Sequence, residues 1–240
     1  MDRIALVTGG TRGIGAEISR HLKAAGRTVV ASYAGNDAAA KSFSEETGLR
    51  AFKFDAGDFD ASQKAIAKIT EEVGPITILV NNAGITRDAT LGRMSREAWD
   101  SVIQTNLGSC FNMCKLTFEG MRAAKFGRIV NVGSINGQAG QIGQVNYAAA
   151  KAGIHGFTKA LALEGARYGI TVNAIAPGYV DTEMVRAVPE DVLQKIIARI
   201  PMGRLGHVED IARGVAFLTA DDADFITGST LSINGGQHMY

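Results

Sequence analysis

Short β-branched runs alternate with longer stretches of helical periodicity from residue 3 to about residue 180. Arg3–Thr8, Thr28–Ser32, Ala51–Phe54, Ile76–Val80, Arg128–Val132 and Thr171–Ile175 read as strands. Ile14–Ala25 reads as a helix with Ile14, Ile18 and Leu22 on one face and a stop at Gly26. Ala38–Glu46 reads as a second helix. A third starts near Asp60 and Gln63, which look like a capping pair ahead of Ile66, Ile69 and Val73. Glu97–Leu107, Phe111–Ala124 and a stretch from about Tyr147 to Tyr168 follow with the same spacing. Strands joined through helices must run parallel, because a parallel pair needs a long crossover. The expected fold is therefore α/β: one doubly wound Rossmann-type domain, a seven-stranded, mostly parallel sheet with helices on both faces.

Residues 182–206 break the rhythm with Pro189, Pro201 and short amphipathic pieces, and are expected to form a small helical flap over the sheet's edge. A helix at Val208–Leu218 and a last strand at Thr230–Ile233 close the pattern. No linker, internal repeat or low-complexity segment interrupts it, so residues 1–240 are read as a single domain.

Composition narrows the partners. The 25 Lys and Arg against 24 Asp and Glu give a net charge of +1, no electrostatic reason to expect nucleic acid or an anionic membrane. The 29 glycines against 4 prolines suit tight strand-to-helix turns better than a disordered linker. No charged-then-apolar leader and no membrane-length apolar run is present, so a cytoplasmic protein is expected. Cys110 and Cys114, four residues apart, fit helix packing better than a disulfide or half a metal site, and no metal is expected.

The first strand runs into Thr8-Gly9-Gly10-Thr11-Arg12-Gly13-Ile14-Gly15, which opens the first helix. Glycines let the backbone approach a pyrophosphate, and the helix N-terminus offers it unpaired N–H groups. The spacing is G-x-x-x-G-x-G, not the commoner G-x-G-x-x-G, and glycines in a turn can be purely structural. An acid at the end of the second strand would hydrogen-bond a ribose 2′-hydroxyl and repel a 2′-phosphate. Here Ser32 ends that strand and the first acid, Asp37, comes too late, while Arg12 is a cation suited to a phosphate or a solvated surface residue. NADPH is favoured over NADH.

Tyr147 and Lys151 share one face of one helix at i and i+4. A free phenol ionises near pH ~10, and a nearby ammonium favours the phenolate, which makes the pair a proton donor and its support. Ser134, just past the fifth strand, lies where parallel sheets collect their sites and can hydrogen-bond a carbonyl oxygen.

Thr8–Gly15, Asn81–Gly84, Ser134 with Tyr147 and Lys151, and Pro177-Gly178 with Thr182 together resemble the short-chain dehydrogenase/reductase family over most of the chain. The resemblance implies a catalytic set of Asn106, Ser134, Tyr147 and Lys151, with Asn106 holding a relay water and Lys151 also binding the nicotinamide ribose. It implies cofactor contacts at Gly9, Thr11, Arg12, Gly13, Ile14, Gly15, Ser32, Asp55, Ala56, Asn82, Ala83, Gly84, Pro177, Gly178, Tyr179, Val180 and Thr182, besides Tyr147 and Lys151. Within the family the chain resembles the bacterial acetoacetyl-CoA reductases of polyhydroxybutyrate synthesis, with the 3-oxoacyl-[acyl-carrier-protein] reductases as sibling group. The separation rests mainly on Gln138, Gln141 and His155, though His155 also reads as a packing residue.

That likeness implies substrate contacts at Asp88, Gln141, Gln144, Gly178 and Tyr179, together with Ser134 and Tyr147, and a homotetramer. Val188-Pro189 stands where a basic residue is expected near the coenzyme A phosphates, which leaves Arg186 for that task. A nucleotide-binding regulator without chemistry is the reading from another class, and the intact catalytic set argues against it.

Overall fold

A computed structural model describes residues 3–186 and 188–239. The strands are β1 (Ile4–Val7), β2 (Thr28–Tyr33), β3 (Arg50–Lys53), β4 (Ile76–Asn81), β5 (Gly127–Val132), β6 (Ile170–Pro177) and β7 (Thr230–Ile233). The helices are α1 (Gly13–Ala24), α2 (Asp37–Thr47), α3 (Phe59–Glu72), α4 (Arg96–Ile103), α5 (Ser109–Ala124), α6 (Ile135–Ala139), α7 (Val145–Gly165), α8 (Glu183–Arg186), α9 (Glu190–Ile197) and α10 (Val208–Leu218). The sheet order is β3-β2-β1-β4-β5-β6-β7, and every pairing is parallel, where the alternation predicted a mostly parallel sheet.

Successive strand residues face opposite sides and fill two cores. Ala5, Val7, Ile78, Val80, Val130 and Val132 pack with Ile18 and Leu22 of α1 and Ile211, Val215 and Leu218 of α10. Ile4, Leu6, Leu79 and Ile129 pack with Ile66 and Ile69 of α3 and Met113, Cys114 and Met121 of α5. This is why the strands read as unbroken apolar runs: both faces are covered. At the amino ends of the strands the guanidinium of buried Arg128 donates to four carbonyls, those of Gly127, Gly169, Ala220 and Asp221, at 2.9–3.2 Å.

Three local expectations are corrected. The cap of α3 is Asp58, whose carboxylate accepts from the Ala61 N–H at 3.0 Å; Asp60 lies inside the first turn. The two helices expected over residues 97–124 form one run joined by a π turn at Gln104–Gly108. That turn adds a residue per turn and is invisible to a 3.6-residue periodicity. The second strand extends one residue past Ser32 to Tyr33, and Ser32 is buried.

Cys110 and Cys114 are both buried and free, and burial pushes the Cys110 thiol up to about 11 and that of Cys114 higher still. Among the described residues no helix is long and apolar enough to cross a membrane.

Candidate active site

The carboxyl ends of β1, β4, β5 and β6 open into a cleft of about 350 Å³. The glycine turn forms one wall. Gly9 and Gly13 have φ of +60° and +52°, a backbone that side chains rarely adopt. A Cβ on Gly15 would stand 2.2 Å from the Gly9 carbonyl oxygen, so this turn closes only around glycine. The first N–H groups of α1, at Gly13, Ile14 and Gly15, lack intrahelical partners and these residues border the cleft.

The Asn82 side chain donates to the carbonyls of Thr8 (2.9 Å) and Gly9 (3.2 Å), while the Thr8 hydroxyl accepts from the Asn82 and Ala83 N–H groups. Asn82 therefore holds the glycine turn in shape as well as lining the cleft. Arg12 precedes α1 on the cleft's rim, exposed, and is in no ion pair among the described residues. Asp37 is occupied by Lys53 at 2.8 Å and by the Tyr33 hydroxyl, and the former holds its carboxyl below the usual range.

The opposite wall carries Ser134, Tyr147 and Lys151. Ser134 is the N-cap of α6, a helix with no sequence signal of its own, and its Oγ accepts from the Asn136 N–H at 3.1 Å. With an acceptor pair used, its own proton is left to donate into the cleft. Lys151 is buried; its Nζ donates to the Val132 carbonyl at 2.7 Å and lies 5.6 Å from the centre of the Tyr147 ring.

Asn106 sits in the π turn, fully buried. Both its amide atoms are used by Ile85, accepting from the N–H at 2.7 Å and donating to the carbonyl at 2.9 Å. A Cβ on Gly84 would stand 3.1 Å from Asn106 Oδ1 and 3.7 Å from Lys151 Nζ, so Asn106 clamps the Gly84–Ile85 turn beside the Lys151 ammonium. Pro177, Gly178, Tyr179, Val180 and Thr182 complete the floor below α8.

Not every expected residue reaches this cleft. Thr11, Ser32, Asp55, Ala56, Asp88, Asn106 and Gln141 lie outside its lining. Asp55 is exposed and accepts from the Gly57 N–H at 2.8 Å. Asp88 is tied to the site indirectly: Gln144 donates to it at 2.8 Å and accepts from Asn136 at 2.9 Å. Asn136 lines the cleft without any motif to mark it, beyond its place two residues after Ser134. Arg186 is exposed and held by Asp181 through contacts of 2.7 and 2.9 Å, so it is not a free cation.

A family model described as enoyl-(acyl carrier protein) reductase matches residues 9–238. The chain is 61% identical over 238 residues to the acetoacetyl-CoA reductase of Shinella zoogloeoides, covering 99% of each chain. It is 61% identical over 240 residues to the acetoacetyl-CoA reductase of Rhizobium meliloti (strain 1021), covering both completely. To the 3-oxoacyl-[acyl-carrier-protein] reductase of Escherichia coli (strain K12) it is 46% identical over 239 residues, 99% of this chain and 98% of the other. Likeness of this extent, on a parallel sheet whose strand ends gather the expected proton donor beside a glycine cradle, makes the chain a member of the short-chain dehydrogenase/reductase family of oxidoreductases.

Proposed function

We propose that this enzyme reduces acetoacetyl-CoA to (3R)-3-hydroxybutyryl-CoA with NADPH, as a cytoplasmic homotetramer serving polyhydroxybutyrate synthesis. The observation that carries the reaction is the meeting of Ser134, Tyr147 and Lys151 in one cleft with the glycine turn. The substrate rests on the full-length relatives that bear this name at 61% identity, against 46% for the carrier-protein enzyme.

The cleft fits a dinucleotide: side chains at Gly9, Gly13 and Gly15 would strain or fill the cradle. NADPH, when bound, supplies the hydride to the ketone carbon. The 2′-phosphate is suited by the exposed Arg12 and by the lack of a free acid at the end of β2, where Asp37 is neutralised by Lys53.

Ser134 donates a hydrogen bond to the ketone oxygen, which holds the carbonyl and stabilises the charge that grows there. Tyr147 gives that oxygen its proton. Lys151, fixed by the Val132 carbonyl, keeps a positive charge beside the Tyr147 ring and supports the phenolate left behind. Asn106, bonded through both amide atoms to Ile85, keeps the Gly84–Ile85 segment in place beside Lys151, and a relay water held by Asn106 would extend the proton path from there.

The test is NADPH oxidation with acetoacetyl-CoA and longer 3-oxoacyl thioesters, on coenzyme A and on carrier protein. The highest kcat/KM is expected for acetoacetyl-CoA, and a clear preference for the carrier-protein thioesters overturns the substrate assignment.

A further inference from the structure

Neither His155 nor Gln138 lines the cleft. Both instead reach the edge strand β7. The Thr230 hydroxyl lies 3.1 Å from His155 Nδ1, and the Ser232 hydroxyl accepts from Gln138 Nε2 at 3.1 Å. Thr230 and Ser232 are two apart on one strand and so face the same side. His155 belongs to α7, one turn beyond Lys151, and Gln138 belongs to α6, which Ser134 caps.

The packing leads back to Ser134. The imidazole lies against Gly133, the residue before Ser134: a Cβ there would stand 3.1 Å from His155 Cε1 and 3.5 Å from Nε2. His155 Nε2 is buried and without a partner. On the other side, Gly137 lets α6 rest on the backbone of α7, where a Cβ would stand 2.6 Å from the Lys151 carbonyl carbon. The segment carrying Ser134 is thus held between the ring below it and a short helix pinned at its far end. A five-residue helix has little stability of its own, so where it sits is set by such contacts.

We propose that His155 and Gln138 are positioning residues for Ser134, acting through the two hydroxyls of β7. The inference rests on Ser134 touching the ketone, as proposed above. Misplacing a polar group by an ångström weakens transition-state contacts with little effect on remote binding.

The experiment pairs Thr230→Val with Ser232→Ala, which remove the hydroxyls at little change in volume, and Thr230→Ser with Ser232→Thr, which keep them. Kinetics use the wild-type enzyme's best 3-oxoacyl thioester, whichever carrier it bears, so a wrong substrate assignment shows as a different best substrate and leaves this test readable. The hydroxyl-free double variant is expected to lose roughly tenfold or more in kcat, with NADPH affinity within about twofold of wild type. The hydroxyl-keeping pair is expected to restore most of that loss. If the double variant fails to fold, Thr230→Val and Ser232→Ala are read singly for the same split. In a Ser134→Ala background the hydroxyl-free substitutions are expected to cost nothing further, because their effect passes through Ser134. An undiminished loss in that background, or wild-type kcat without the hydroxyls, overturns the proposal.

Discussion

Tyr147 lines the cleft together with Ser134, and its ring packs beside the Lys151 ammonium. Tyr147→Phe keeps the ring and removes the proton, so kcat is expected to fall by about 10²–10⁴-fold while NADPH affinity stays near wild type. Fluorescence titration of NADPH beside steady-state kinetics checks both halves. Arg12 is the residue to change for cofactor choice. Arg12→Ala is expected to lower kcat/KM with NADPH by about 1–3 kcal/mol and to leave NADH nearly untouched. If the ratio of the two does not move, the 2′-phosphate lies elsewhere. Ser32, the residue that the end of the second strand first suggests, is a poor lever: it is 2% exposed, so a carboxylate there would be buried, at a cost to folding.

At the scale of elements, the short flap helices α8 and α9 carry the cation expected to meet the substrate. Helix α9 buries none of its residues, and Arg186 at the end of α8 is held by Asp181. That pair keeps the Asp181 carboxyl below its usual range, so it stays ionised through neutral pH and Arg186 meets a coenzyme A phosphate only in competition with it. Arg186→Ala is expected to raise KM for acetoacetyl-CoA more than it changes kcat, with an effect that shrinks at high salt. A short acetoacetyl thioester without the nucleotide half reports whether the loss belongs to the phosphate or to the flap's fold.

The strands, α10 and β7 were legible in the sequence because their apolar periods are set by burial on one or two faces. The helix α6 and the π turn were not. The first is too short to have a period, and the second shifts the period by one residue. Both lie at the site, and they carry Ser134 and Asn106. The glycine turn and the Tyr147–Lys151 pair could be read at once because their chemistry fixes residue type and spacing together. Asn136 could not, because its part is defined by partners eight and more residues away, Gln144 and through it Asp88.

For the molecule as a whole, chemistry and anchorage occupy opposite ends of the strands. The foot of the sheet is closed by Arg128, whose guanidinium satisfies four carbonyls. Arg128→Met is expected to lower stability by about 2–4 kcal/mol, since each buried carbonyl left alone costs about 1–3 kcal/mol and some regain water. Denaturant melts would read that loss, with kcat at 25 °C close to wild type. The flap, in contrast, buries only Ile200 among its described residues, and regions with few buried groups open at a small fraction of the global unfolding free energy. On warming, then, the enzyme is expected to lose its hold on the thioester before it loses its cofactor or its fold. Heat would blind this catalyst to its substrate some degrees below the temperature at which it melts.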